Sequence, residues 1–308
     1  LNDSLLQPQP TPPIRARPPY LLRPVSRSVL PDSGALVFDF GLNTAAAVQL
    51  QLTRSTSTGA AVEIELRFGE ILWPNGSVNV LTSTAGQIKS GNGGPCSPSV
   101  AYQRAVFRSN ASSPSSPSAP FTFNFTTQFS WHGFRYAQVL LPPGWAIDIA
   151  AIPLMTDLAH TSEFNSSSAQ LDRILAMAKN THASNMMGIQ SDCPHRERFG
   201  YTGDALATLQ TSMHIFDGSA FYEKRLFDVA DSQRASGGVT ETAPYVGISD
   251  AGLGDGSGPV GWDTLFPVLQ VELRRFFANT RALGTLQNST RRWITFLVCV
   301  YQQWRRIG

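Results

Sequence analysis

Between Gly34 and Leu154 apolar and polar residues alternate with a period of two. Ala35-Leu36-Val37-Phe38-Asp39-Phe40, Val48–Leu52, Val62–Phe68, Phe121–Phe125, Phe134–Leu141 and Ile147–Leu154 all follow the pattern. Alternation of this kind sends every second side chain to one face. With Gly and Asn as punctuation, it predicts antiparallel strands with one face buried. Gly86–Pro120, which holds Gly-Asn-Gly-Gly and Ser-Ser-Pro-Ser-Ser-Pro, reads as loops around one more strand near Ala101–Arg108. About seven or eight strands without a helix predict a β-sandwich over 34–157. The aromatics of Trp131-His132-Gly133-Phe134-Arg135-Tyr136 fit the core of that sandwich better than a binding strip, and His132 alone makes no metal argument.

At Glu163 the period becomes helical. Ser167-Ser168-Ala169-Gln170 has the Ser-x-x-Gln form of a capping box, and Leu171, Ile174, Leu175 and Ala178 then mark one helical face. A helix is predicted over about 168–184, with others near 204–215, 219–235, 265–278 and 283–301. Pro267 falls early in the fourth, where a missing N–H is tolerated. The long loop Gly237–Gly261 carries Glu241, Asp250 and Asp255 and leads into Trp262 and Asp263. A loop of that length inside a compact domain is commonly functional, so it is a candidate wall of a substrate pocket. Residues 1–33, with Pro at eight positions, read as an extended linker or the tail of an upstream segment. The fold class is therefore a multidomain β plus α chain, with a second, all-helical domain over 163–308.

Composition narrows the function. A net charge of +2 without a run of Lys or Arg nominates no nucleic acid. The longest apolar stretch, Ile294–Tyr301, is far too short to cross a membrane. Cys96, Cys193 and Cys299 are too few and too scattered for a disulfide framework or a zinc site. Six N-x-S/T triplets, at Asn2, Asn75, Asn110, Asn124, Asn165 and Asn288, favour a secreted glycoprotein. The oligomeric state is left open.

The chemistry concentrates in Asp192-Cys193-Pro194-His195-Arg196-Glu197-Arg198-Phe199-Gly200-Tyr201-Thr202-Gly203-Asp204. Pro194, Gly200 and Gly203 break regular structure, so a loop can gather three carboxylates, two arginines and an aromatic on one spot. That mixture suits gripping a sugar and protonating its glycosidic oxygen, although charge clusters are more commonly a solvated surface.

The order of residues, D-C-P-x-R-E-R-x-G-[W/Y]-T-G-D, resembles the signature of the α-L-rhamnosidases of glycoside hydrolase family 78. Further likenesses occur in the same order along about 34–298. They are Phe38-Asp39-Phe40-Gly41 with Asn43, Arg67–Leu72, His132–Tyr136, Phe164-Asn165-Ser166 and Gly261-Trp262-Asp263. Tyr201 stands where Trp is usual, His195 and Phe199 where Gln and Leu are common, and the residues from about Val298 match nothing in the family.

The resemblance implies an antiparallel β-sandwich followed by an incomplete (α/α)6 barrel, since 163–308 has room for about half of the twelve helices. It implies an inverting hydrolase acting on a rhamnose-containing glycoside or polysaccharide, with Glu197 as the general acid. Its pKa would be raised by burial or by the neighbouring aspartates. One of Arg196 and Arg198 should then turn away from it. Asp192, Arg196 and Asp204 would hold sugar hydroxyls, Tyr201 and Trp262 would pack on the apolar face and methyl group, and Asp263 would close the ring of polar contacts. Asp204 and Asp263 could instead be helix caps. The second catalytic carboxylate is expected beyond residue 308. No cofactor is required, and a calcium ion is compatible with the family.

Other readings remain, among them another helical-barrel glycosidase. A non-catalytic carbohydrate-binding protein needs only the sandwich and part of a pocket. A cysteine hydrolase would use Cys193 and His195, which Pro194 keeps from aligning. A polysaccharide lyase would want an anionic substrate, which the near-neutral charge does not favour.

Overall fold

The computed structural model describes residues 10–54, 62–83, 102–107, 121–247, 252–253 and 255–307. Most of Gly86–Pro120, Cys96, Asp250 and the triplets at Asn2 and Asn110 lie outside the described residues. Two compact units are present. One comprises Ala16–Leu154 with Pro194–Glu197; the other is built mainly from Met155–Cys193 and the residues from Arg198 onward.

The strands are β1 (Ile14–Ala16), β2 (Ser26–Val29), β3 (Leu36–Arg54), β4 (Val62–Gly69), β5 (Tyr102–Phe107), β6 (Phe121–Thr126), β7 (His132–Val139) and β8 (Trp145–Thr156), all in the first unit apart from Ile14 and Arg15 of β1 and Met155 and Thr156 of β8. The sheet path is β1-β8-β3-β7-β4-β5, with β2 and β6 also paired to β3. The 19-residue β3 organises everything. Its first part pairs antiparallel with β7 from Leu36↔Val139 to Ala46↔His132, and with β2. Its second part pairs with β8 from Ala46↔Pro153 to Arg54↔Trp145, and with β6. One strand thus serves both layers, as sandwich corners require.

The change of partner needs a bend, and the register shifts between Asp39 and Thr44, where Gly41 takes a φ of 72°. Asp39 fixes the bend. Its carboxylate accepts from Gly41 N at 2.7 Å and from Arg135 Nε and Nη2 at 2.8 and 2.9 Å. The hydrogen bond from Arg135 is the main reason the Asp39 carboxyl lies below the ordinary carboxylate pKa. Phe38, Phe40, Val48, Leu50, Leu52, Ile64, Leu66, Phe68 and Phe134 fill the core. Each contributes about 1.5–3 kcal/mol by burial.

The helical unit contains α1 (Ala169–Asn185), α2 (Thr202–Ile215), α3 (Ser219–Asp231), α4 (Val260–Asp263), α5 (Leu265–Phe277), α6 (Arg281–Thr285) and α7 (Gln287–Ile307). The cap of α1 is Ser168, whose Oγ accepts from Leu171 N at 3.5 Å. The predicted capping box is therefore displaced. Gln170 is not its acceptor, and Asp172 instead accepts from the N–H and Oγ of Ser166, both at 3.0 Å. Helix α3 stops at Asp231, short of Ala235, because Ser232 Oγ turns back onto Asp228 O at 2.8 Å. The predicted helix at 283–301 divides at Leu286 into α6 and α7.

Leu209, Met213, Phe216, Phe221, Tyr222, Leu226, Leu265, Phe266, Leu269 and Leu273 form the helical core. The apolar face read on α1 is only partly covered: Leu171 is 51% and Ile174 48% exposed, and both line an open groove with Phe164 and Ile215.

Candidate functional site

The signature loop closes on Asp192. Asp192 N donates to Phe199 O at 3.1 Å, and Phe199 N returns a bond to Asp192 Oδ1 at 3.0 Å. The chain reverses at Arg198, whose φ is 60°. Burial pulls the Arg198 guanidinium below its ordinary pKa, opposed by Cys193. Asp192 is thus fixed by the backbone it organises.

Four residues of the loop belong to the sandwich unit. His195 is buried, with its Cβ and backbone against Gly133 of β7, where a Cβ would come within 2.9 Å of it. Glycine at 133 makes this seat possible. Beside it the Glu197 side chain is only 13% exposed, and Arg196 Nη2 donates to its Oε1 at 3.1 Å. Arg196 therefore turns toward Glu197.

The rest of the loop seats on 241–243 of the helical unit. Tyr201 bridges Thr242, Ala243 N donates to Gly200 O at 2.9 Å, and the N–H and Oγ1 of Thr202 donate to Glu241 O at 2.8 and 2.9 Å. The fully buried Arg225 of α3 adds a second donor to Gly200 O. Gly200 has no room for a side chain, because its Cβ position is already taken by Ala243 O and Arg225 Nη1. Tyr201 stands edge-on to Phe199, with ring centroids 6.3 Å apart.

This seating aligns a row of acids. Burial is the first cause raising the Asp204 carboxyl, followed by the charge of Asp192. Burial again raises Glu241, followed by Asp204. Asp263, with no exposed surface, is pushed up to about 8 by burial and then by Glu241. Trp293 pulls weakly the other way, yet neither Asp263 oxygen nor the indole N–H has a partner at hydrogen-bond geometry. The close approach depends on Gly258, whose Cβ position lies 2.7 Å from Asp263 Oδ1 and 2.8 Å from the Glu241 backbone.

Asp204 is the third residue of α2, and Asp263 ends α4; the N-caps of α2 and α5 are Tyr201 and Thr264, so neither aspartate is a cap. Beneath Asp204, Thr208 Oγ1 donates to its carbonyl at 2.7 Å. Gln190 then links Thr208 to the Tyr222 hydroxyl by bonds of 2.6 and 2.8 Å. The all-oxygen row suits sugar hydroxyls.

Trp262 belongs to the same helical unit as the acid row. It is 40% exposed, and its indole lies against Gly203 in the first turn of α2, where a Cβ would penetrate the ring. Gly203→Ala is expected to lift the indole off the helix. A red shift and stronger acrylamide quenching of tryptophan emission would report it, with a loss of about 1–3 kcal/mol in chemical denaturation. Unchanged emission would mean that the indole has another seat.

Asp192, Tyr201, Asp204, Trp262 and Asp263 therefore gather in the helical unit, whereas Arg196 and Glu197 are carried by the sandwich unit. Sequence reasoning placed Glu241 only on a loop wall and overlooked Arg225. The long loop was the available signal for Glu241; for Arg225 there was none, since a Glu-Lys-Arg run in a helix reads as a solvated face.

Known proteins share both units. The bacterial α-L-rhamnosidase concanavalin-like domain matches residues 30–145, and the bacterial α-L-rhamnosidase 6 hairpin glycosidase domain matches 159–307, so the likeness extends past Val298, where the residue motifs alone showed none. An α-L-rhamnosidase of Streptomyces avermitilis is 24% identical over 277 residues, which is 89% of this chain and 24% of that protein. The fold of the Dictyoglumus thermophilum α-L-rhamnosidase superposes with a TM-score of 0.76 at 24% identity, over 94% of this chain and 29% of that one. A Streptomyces avermitilis α-L-rhamnosidase complexed with L-rhamnose gives 0.75 at 22% identity, over 94% and 25%. The chain thus spans roughly a quarter of the length of these relatives. With the sandwich and the helical unit matched in order by two domains of one group of enzymes, the chain belongs to the α-L-rhamnosidase family, glycoside hydrolase family 78.

Proposed function

We propose that this chain carries the acid half of an inverting α-L-rhamnosidase that removes terminal α-L-rhamnose from glycosides or polysaccharides. The observation that carries this reading is the nearly buried Glu197 carboxyl in the family signature, paired to Arg196. In the reaction the Glu197 proton passes to the glycosidic oxygen as the bond from that oxygen to the sugar's anomeric carbon breaks. A water activated by a second carboxylate adds to the opposite face. Arg196 must release Glu197 for this step, and a sugar hydroxyl is the natural acceptor for the freed guanidinium.

Asp192 and Asp204 orient the ring through its hydroxyls. Tyr201 and Trp262 cover its apolar face and methyl group, which favours a deoxysugar. Asp263, fully buried and protonated near neutrality, acts through Glu241 and Asp204 at the base of the polar ring. The second carboxylate is assigned to polypeptide outside these 308 residues. Export from the cell is supported by the exposed N-x-S/T asparagines Asn75, Asn165 and Asn288.

The purified chain should bind L-rhamnose, read as a change in Trp262 emission, and should release no phenol from an aryl α-L-rhamnoside. Glu197→Gln should leave binding intact. Turnover that this substitution abolishes would place the base within the chain, and absence of rhamnose binding would overturn the pocket. A protein that binds the sugar but stays inactive even when joined to the remaining length of its relatives would instead be the non-catalytic carbohydrate binder.

A further inference from the structure

The outer face of the sandwich unit contains a polar cup that the reaction does not use. It has a volume of about 160 Å³ and is lined by Arg23, Gln49, Gln51, Asn124, Asp148 and Ala150, together with Leu50. Strand register builds it. Gln51 of β3 is the partner of Asn124 on β6 and of Asp148 on β8, and Gln49 is the partner of Ala150. Alternation sends these side chains outward while Leu50 and Ile149 enter the core. Ala150 stops at Cβ, so the surface dips between longer neighbours. The preceding segment pairs with β8 through Leu22 and Ala151, which brings Arg23 Nη1 to 2.6 Å from both oxygens of Asp148 and raises a wall over the dip.

The geometry points to a second saccharide site here, one that takes a neutral glycosyl residue through two adjacent hydroxyls. Gln51 Nε2 donates to Asn124 Oδ1 at 2.9 Å, which holds two amides side by side. That bond uses one donor and one acceptor, and it leaves the Gln51 carbonyl to accept and, in the chain without a glycan on its Asn124-Phe125-Thr126 triplet, the Asn124 NH2 to donate. A vicinal diol offers the matching pair, because each hydroxyl both donates and accepts. Charge selects against ions: Arg23 and Asp148 neutralise one another, so an anion would meet the carboxylate and a cation the guanidinium. Among the described residues no aromatic side chain lines the cup, so hydrogen bonds would carry the binding, and a dissociation constant of about a millimolar is expected. A contact that weak is useful on a polymer, where a second point of attachment raises the local concentration of chain ends.

The test is a titration of the ¹⁵N-labelled 308-residue chain with methyl α-L-rhamnoside, following the side-chain NH2 resonances of Gln49, Gln51 and Asn124. They should shift saturably. Gln51→Ala with Asn124→Ala should weaken the response of the remaining Gln49 resonances at least about tenfold and leave the Trp262 emission change in place, which separates this site from the proposed catalytic one. Both residues are exposed, so the fold should tolerate the change. Resonances unmoved by saturating sugar would overturn the proposal, as would a larger response to methyl galacturonate than to the neutral glycoside.

Discussion

Asparagine in place of Asp263 is expected to make the helical unit more stable above neutrality and to flatten its stability against pH. The reason is the sign of the linkage. The Asp263 carboxyl is pushed from an ordinary 3.8 to about 8 in the folded chain. Below the lower value both states hold the proton and folding gains nothing from pH. As pH rises through the window the unfolded chain releases the proton while the folded chain keeps it. Folding then loses on the order of 1.4 kcal/mol per pH unit until the folded group itself ionises.

Asparagine has nearly the same shape, carries no proton to lose, and offers an NH2 toward the acid row. Guanidinium denaturation at pH 4 should therefore find the two proteins alike. By pH 8 the variant should lead by an amount on the order of 5 kcal/mol. Asp204 and Glu241 are raised as well and contribute a slope common to both proteins, so the difference between the curves is the informative quantity. Parallel curves would mean that Asp263 is ionised in the folded chain despite its two partnerless oxygens.

What the sequence conveyed depended on how local the cause was. Alternation at 35–40 and 48–52 revealed strands, because a pleated strand imposes its period on neighbouring residues. It concealed that both runs are one β3, since continuity rests on Gly41, Asp39 and an arginine 96 positions away. The α1 helix was legible from Leu171, Ile174 and Leu175, yet spacing records only that a face is apolar. Whether anything covers it depends on other helices. Asp192, Glu197 and Asp204 were legible because they share one loop. Glu241 became part of the row through bonds from Thr202, 39 residues earlier, and a pairing of that span leaves no periodic trace.

Arg225 is where sequence pattern and structure diverge most, and replacing it should separate volume from charge. It is 1% exposed, burial draws its guanidinium down to about 10, and Nε and Nη1 have no hydrogen-bond acceptor. Its one bond holds the Gly200 carbonyl, which Ala243 N also satisfies. Arg225→Ala would open a cavity beside Tyr222 and the loop at Gly200, and should cost about 3–5 kcal/mol in chemical denaturation. Arg225→Met fills most of that space and removes a charge that the fold only partly compensates, so its cost should stay within about 1–2 kcal/mol. The loop loses one of two anchors at Gly200 in both variants. Rhamnose affinity should therefore fall in the methionine variant even though its unfolding midpoint is nearly that of the parent. If methionine proves as damaging to stability as alanine, the guanidinium is a net stabiliser of the helical core. If it leaves rhamnose binding untouched, the loop is positioned by residues 241–243 alone.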